Sequence, residues 1–210
     1  NLAELIDRLN QAGTRLVGLN FSFTGNEEGN DVSTTELCRA IRSHGNVVIG
    51  ETFASNDELI HATDQIAEAS AGSGYLEKII DSDYTIRRSY WIRPYRSTNS
   101  QAFESSFPLK LAQLRLPQDV YDPVFDRSAG TENMSMRSKP VYVESDGSYS
   151  INYTAAWEDF EIIPAWKILD GRVERARLNG KIALVGLTAS LFSDVHATPY
   201  GMMPGIAIHA

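Results

Sequence analysis

Leu16-Val17-Gly18-Leu19-Asn20-Phe21-Ser22-Phe23 and Val47-Val48-Ile49-Gly50-Glu51-Thr52-Phe53 decide how this chain folds. Both runs open on apolar residues without in–out alternation, the pattern of strands covered on two faces. A helical repeat precedes each. Leu2, Leu5, Ile6 and Leu9 recur at helical spacing and stop at Gly13; Leu37, Ala40, Ile41 and His44 do the same and stop at Gly45. Asp57 is placed to cap a third helix reaching about Ser70, with Leu59, Ile60, Thr63, Ile66 and Ala67 inward. Helices alternating with doubly covered strands imply an α/β fold, a mainly parallel sheet flanked by helices.

At Gly72-Ser73-Gly74 the pattern changes. Residues 75–93 hold two strand-like runs about Asp81-Ser82-Asp83-Tyr84, which reads as an antiparallel hairpin insertion with Ile86-Arg87-Arg88 opening the return strand. A helix is expected over 107–114, then a long mobile loop over 116–140 containing Pro117, Pro123, Gly130 and Pro140. Segments 141–144 and 148–153 flank a hairpin turn at Ser145-Asp146-Gly147. Pro164 suits the first turn of a helix through Leu169, ended by Asp170-Gly171. The last third centres on Gly180-Lys181-Ile182-Ala183-Leu184-Val185-Gly186, read as a strand buried on both faces. The polar residues from Asp194 to Tyr200 then fall near its carboxyl end, where open α/β sheets place ligands.

The 210 residues are 42% hydrophobic and 22% charged, an ordinary globular composition that suits a single domain over 1–210. A net charge of −8 argues against a nucleic-acid binder, which needs a basic patch for phosphates, and against docking on anionic lipid by charge alone. The one cysteine, Cys38, rules out an internal disulfide and reads as a small residue packed in a helix. No apolar run is long enough to span a bilayer, and there is no signal peptide. The chain begins inside a helical pattern without Met and stops at Ile206-Ala207-Ile208-His209-Ala210, which still reads as structured. It is therefore expected to be part of a longer protein, truncated at its amino end, with any membrane segments outside it.

Catalytic signatures fail. There is no G-x-S-x-G, G-x-G-x-x-G or H-E-x-x-H, and Gly180-Lys181-Ile182 lacks the first glycine and the final hydroxyl residue of a phosphate loop. No nucleophile is paired with a base, so a hydrolase or transferase is a poor reading. The candidate ligand-binding residues are Asp194, His196 and Thr198 after the late strand, and Arg87 and Arg88 after the acidic turn. Carboxylate and imidazole suit a cation or polar ligand, with His209 as a third member; paired guanidinium forks suit an anion. The competing local reading has Asp194 accepting backbone N–H groups in a turn and the arginines paired with Asp81 and Asp83. No metal centre and no cofactor is expected. Tyr90, Trp91 and Tyr95 read as sheet packing, Trp157 and Trp166 as core anchors, and Glu158, Asp159 and Glu161 as a solvated face.

The order of motifs in the last third resembles a known family. Ile163-Pro164-Ala165-Trp166-Lys167-Ile168-Leu169-Asp170-Gly171 leads to Leu178-Asn179-Gly180-Lys181-Ile182-Ala183-Leu184-Val185-Gly186, then Thr188-Ala189 and Asp194-Val195-His196-Ala197-Thr198-Pro199-Tyr200-Gly201. Pro204-Gly205-Ile206-Ala207-Ile208-His209-Ala210 closes it. This set looks like the second type of CHASE domain, the cyclase- and histidine-kinase-associated sensory extracellular domain. Val17-Gly18-Leu19-Asn20-Phe21, Gly45-Asn46-Val47-Val48-Ile49-Gly50 and the turn from Asp81 to Arg88 agree, so the likeness covers nearly the whole chain. Asn20 stands where such domains often carry Asp, and Ala155-Ala156 where Gly-Pro is common. Such domains usually begin with a strand before the first helix; its lack here would leave one sheet position empty or filled by a neighbour.

The resemblance implies a bacterial extracytoplasmic sensor tethered to the membrane by flanking segments and followed inside the cell by a nucleotide cyclase, a histidine kinase (as in two-component systems) or a protein kinase. Its expected partner is a small-molecule or ion signal that the sequence does not identify, and the chain by itself is not expected to be an enzyme. The alternative is a ligand-free interaction module that works through a homodimer contact, with no pocket near Asp194.

Overall fold

The computed structural model describes residues 1–25, 32–97, 100–115, 124–126, 133–136, 139–141, 143–144, 146–188 and 194–210. Helix α1, Leu2–Ala12, is opened by the Asn1 side chain accepting from the Ala3 N–H at 3.1 Å and closed by Gly13 at φ 82°. Glycine adopts that left-handed backbone without a β-carbon penalty. Strand β1, Leu16–Ser22, helix α2, Val32–His44, and strand β2, Val47–Phe53, follow as the apolar patterns predict. Gly45, at φ 76°, ends α2.

The third helix is shorter than its pattern. Asp57 takes φ 63° in a turn closed by its N–H to the Ala54 carbonyl, and Ala54 N–H reaches Glu58 O at 2.8 Å. Leu59–Ile60 is therefore β3, antiparallel to β2, and α3 is confined to Asp64–Ala69. The Gly72-Ser73-Gly74 break is itself a strand. Gly72–Tyr75, β4, runs parallel to β2 with Val48 opposite Gly72 and Glu51 opposite Tyr75. A β-carbon on Gly74 would lie 2.7 Å from Phe107 Cα, so the small residues mark the close approach of a backbone rather than the end of the sheet.

Strand β13, Ile182–Val185, pairs parallel with the other edge of β1. The sheet therefore runs β13-β1-β2-β4, four parallel strands, with β3 added antiparallel to the end of β2. The late strand is an edge strand among the described residues and is only partly buried: Ala183 and Val185 pack on one face and Leu184 on the other, while Ile182 is 41% exposed. Alternate side chains go to opposite faces. Val17, Leu19, Val47 and Ile49 pack with Ile6 and Leu9 of α1, Ile41 of α2 and Ile66 of α3. Leu16, Val48 and the partly buried Leu184 meet Phe107 and Leu111 of α4, Phe107–Arg115. Each of the fully buried aliphatic side chains contributes about 2 kcal/mol by leaving water.

The inserted part is antiparallel. Ile79–Ile80, β5, pairs with Ile86–Tyr90, β6, around the acidic turn, and Ile92–Ser97, β7, pairs with Ser100–Ser105, β8. Within the expected loop over 116–140, Val124–Asp126, Asn133–Met136 and Lys139–Val141 form a three-stranded antiparallel sheet, β9 to β11; the rest of that segment lies outside the described residues. Glu144 N–H does reach Ser148 O at 2.7 Å across the turn at Asp146-Gly147, but Ser148–Ser150, β12, takes its ladder from β6. Helices α5, Ala165–Leu169, and α6, Arg175–Leu178, carry the chain to β13, with Gly171 at φ 67° beyond α5. Trp157 packs on the Ile86, Met203 and Ile208 cluster, whereas Trp166 is 51% exposed under the cations of Lys167 and Arg172. Cationic heads stand over its ring and half of it meets solvent, the reverse of the core anchor expected from sequence.

Candidate functional site

Strand β1 departs from regular pairing where the polar residues begin. Leu19 pairs with Ile49, but the next partner of Gly50 is Ser22, so Asn20 and Phe21 form a bulge. Bulges bend a strand and re-aim its side chains. A β-carbon on Gly50 would stand 2.8 Å from the Phe21 carbonyl oxygen, so glycine there lets the bulged backbone come close. The Asn20 amide Nδ2 donates to Asp194 Oδ2 at 3.2 Å.

Asp194 leads into a hairpin made of β14, Val195–Thr198, and β15, Gly201–Pro204, followed by the short helix α7, Gly205–Ile208. Its carbonyl accepts from Gly205 N–H at 2.8 Å, and its Oδ1 is 3.0 Å from His196 Nε2. Lys78, just beyond β4, sets its ammonium 3.9 Å from Asp194 Oδ1 with 8% of the side chain exposed. That separation is an ion pair but exceeds hydrogen-bond reach. Burial raises the Asp194 carboxyl, yet the His196 hydrogen bond, the Lys78 charge and Asn20 together hold it below its ordinary value. Burial pushes the Lys78 ammonium down, partly offset by Asp194 and Glu77. Glu77 Oε1 accepts from Phe53 N–H at 2.6 Å and from the Thr52 hydroxyl.

These groups line one cleft of about 470 Å³. Asn20, Phe21 and Ser22 come from the end of β1, Thr52 from the end of β2, and Leu76, Glu77 and Lys78 from beyond β4. Leu187 follows β13, Ile80 and Ile86 come from the inserted hairpin, and Asp194 and His196 close the side. The cleft therefore lies outside the carboxyl ends of the parallel strands. It is also where strand order reverses, since β2 and β4 extend to one side of β1 and β13 to the other.

The five residues picked from sequence fall into three places. Asp194 and His196 line the cleft. Thr198 is buried in the β14–β15 turn, donating to Gly201 O at 2.8 Å and accepting from Tyr200 N–H at 3.2 Å. Arg87 and Arg88 are held on the outer hairpin: Arg87 by Asp83 at 2.8 Å and Asp81 at 3.1 Å, and Arg88 by Asp81 at 2.8 Å and Asp146 at 3.1 Å. His209 is buried beneath the site against Phe107. Among the described residues no three carboxylate, imidazole or thiol groups converge to hold a metal ion. Asn20 was noted from sequence only as a departure from the family's Asp, and Glu77 and Lys78 were not singled out. The signal that finds Glu77 and Lys78 is β4, because reading 72–75 as a fourth parallel strand puts residues 76–78 at the carboxyl edge of the sheet.

The description "CHASE2 domain" matches residues 1–210, the whole chain. The chain belongs to the CHASE2 family. CHASE2 domains are extracellular sensory domains of signalling proteins, and this one carries a cleft at the carboxyl ends of its parallel strands. Neither the curated proteins nor the solved structures compared with it give a match. No helix among the described residues is long and apolar enough to cross a membrane.

Proposed function

We propose that this CHASE2 domain is the signal-input domain of a bacterial membrane-bound protein whose output is a nucleotide cyclase, a histidine kinase or a protein kinase, and that its signal binds in the cleft beside Asp194. One observation carries the reading of the site: charged and polar groups from four separate parts of the chain converge on a concave space at the switch point of the sheet. The alternative, a ligand-free interaction module, calls for no such space next to Asp194.

A sensor shifts an equilibrium only through a difference in affinity between two states. The cleft has a physical route to one. Its walls belong to different units, the parallel sheet, the β5–β6 hairpin and the β14–β15 hairpin, so a ligand that touches all three favours the arrangement in which they close. Thr85 bridges Ala197, which couples the two hairpins directly.

Thermal-shift screening of metabolites and ions against the purified chain tests the proposal. At least one compound is expected to raise the melting temperature, and Asp194→Ala and His196→Ala are expected to remove that shift. Arg87→Ala and Arg88→Ala, on the outer hairpin, are expected to retain it. Protection that persists unchanged in Asp194→Ala and His196→Ala sinks the assignment of the site.

A further inference from the structure

Residues of the cleft wall carry hydrogen-bonding groups of both signs that find no hydrogen-bond partner among the described residues. Lys78 is the donor: its ammonium is withdrawn from water, reaches Asp194 only at 3.9 Å, and is engaged by no hydrogen bond among the described residues. Asn20 and Glu77 are the acceptors. The amide nitrogen of Asn20 is spent on Asp194, while Asn20 Oδ1 is buried with no partner among the described residues. One oxygen of Glu77 is spent on the β2 backbone, while Glu77 Oε2 is buried and likewise unmatched. Buried groups of this kind are ordinarily paired, and unpaired ones need an explanation.

The balance of charge says what would complete them. Glu77 and Asp194 carry two negative charges on the cleft wall against one positive charge on Lys78. A simple anion would satisfy Lys78 while facing both carboxylates. A simple cation would satisfy the acceptors while leaving Lys78 desolvated and crowded by a like charge. A ligand with a carboxylate for Lys78 and an ammonium for Glu77 and Asn20 meets both, and the apolar side chains of Phe21, Leu76, Ile80 and Leu187 offer a surface for a hydrocarbon group.

We infer that this cleft binds a small zwitterion of the α-amino acid class bearing an apolar side chain. The inference rests on the proposed reading of the cleft as the signal site. It adds an orientation: carboxylate toward Lys78 at the end of β4, ammonium toward Asn20 and Glu77, side chain toward the β5–β6 hairpin.

Isothermal titration of the chain with L-alanine, L-valine, L-leucine, L-methionine and L-phenylalanine tests it, with isoamylamine and isocaproate as the two halves of leucine. At least one amino acid is expected to bind, with each half binding at least about tenfold more weakly than leucine. Lys78→Met is expected to weaken the amino acid by at least about tenfold and to leave isoamylamine bound at least as tightly, since the like charge beside it is gone. Glu77→Gln is expected to weaken amino acid and amine and to leave isocaproate bound at least as tightly, since one facing carboxylate is gone; the comparison of intact ligands with their halves stands without either variant. Isoamylamine or isocaproate binding as tightly as leucine overturns the zwitterion. So does a panel in which no amino acid binds. If a different compound protects the chain through Asp194 in the thermal screen while the amino acids fail, the class of ligand is wrong and the signal site stands. If nothing binds in either experiment, both fall.

Discussion

Asn20 and Asp194 are 174 positions apart in the chain, yet the Asn20 amide donates to Asp194 Oδ2 at 3.2 Å. The bond ties the bulge of β1 to the segment that enters β14, so the central sheet and the late hairpin are joined at the cleft itself. A hydrogen bond to a carboxylate of this kind contributes about 1.5–3 kcal/mol. Asn20→Ala is expected to lower stability by about 2 kcal/mol and to move the Asp194 carboxyl up toward its ordinary value. Chemical denaturation and carboxyl NMR titration check the two parts. An unchanged Asp194 titration would remove Asn20 from the site.

Gly205 faces the same carboxylate. A β-carbon built there collides with both Asp194 oxygens and the carbon that bears them. Gly205→Ala must therefore push Asp194 away from His196 and Lys78, at a cost of about 1–3 kcal/mol. Loss of ligand protection along with lower stability is expected. Full protection by a ligand in Gly205→Ala would mean that Asp194 is not held where binding needs it.

Gly74 tests the fourth parallel strand. Its added β-carbon would meet the backbone of Phe107 and Ser106, which has no room to yield, whereas one on Gly25 would meet nothing within 4 Å. Gly74→Ala is expected to destabilise by about 3 kcal/mol, and Gly25→Ala by no more than about 0.5 kcal/mol. Equal urea midpoints for the two variants would contradict the packing of α4 on β4.

His209 makes stability depend on pH from beneath the cleft. Burial first, and then the nearby Lys78 charge, push its imidazole well below the ordinary 6.5. The unfolded chain takes up a proton below 6.5 that the folded chain refuses, so this part of stability is complete above 6.5 and declines as pH falls beneath it. His209→Met is expected to flatten the melting-temperature profile between about pH 7 and about pH 5. A profile parallel to that of the unsubstituted chain would show that His209 takes up its proton while folded.

Much of the parallel sheet was legible because α1 and α2 carry a helical period, and β1 and β2 an unbroken apolar run, that packing then satisfies. The misreadings share a cause, which is local chemistry overruled by what lies opposite. Leu59 and Ile60 fit a helix by spacing, but the left-handed turn at Asp57 delivers them to the edge of β2. Gly72-Ser73-Gly74 looks like a linker until Phe107 is set against Gly74. Trp166 carries no local mark that distinguishes a covered surface ring from a core one. At the site, Asp194 and His196 stood out as a polar cluster after a strand. Lys78 and Glu77 are ordinary charged residues in sequence and become notable only once β4 places them over the cleft.

The hairpin arginines complete the electrostatic picture. Asp81 is held below its ordinary carboxyl value by hydrogen bonds from Arg88 and then Arg87, Asp83 by Arg87, and Asp146 by Ser148 and then Arg88. A folded-state value below the unfolded one gives stability that is present above the ordinary value of 3.8 and is lost as pH falls through the folded one. Arg88→Met breaks the links to Asp81 and Asp146 but leaves Ser148 donating to Asp146 and Arg87 paired with Asp83. Its melting temperature is therefore expected to lie below that of the unsubstituted chain at neutral pH and to converge with it in acid, where the carboxylates are protonated and the pairs contribute nothing. Because Asp146 is exposed and Arg88 and Asp81 are only partly covered, added salt is expected to shrink the neutral-pH difference as well. An offset that stays constant from neutral pH into acid would assign the effect of Arg88 to the packing of its stem on β6 and β12 rather than to charge.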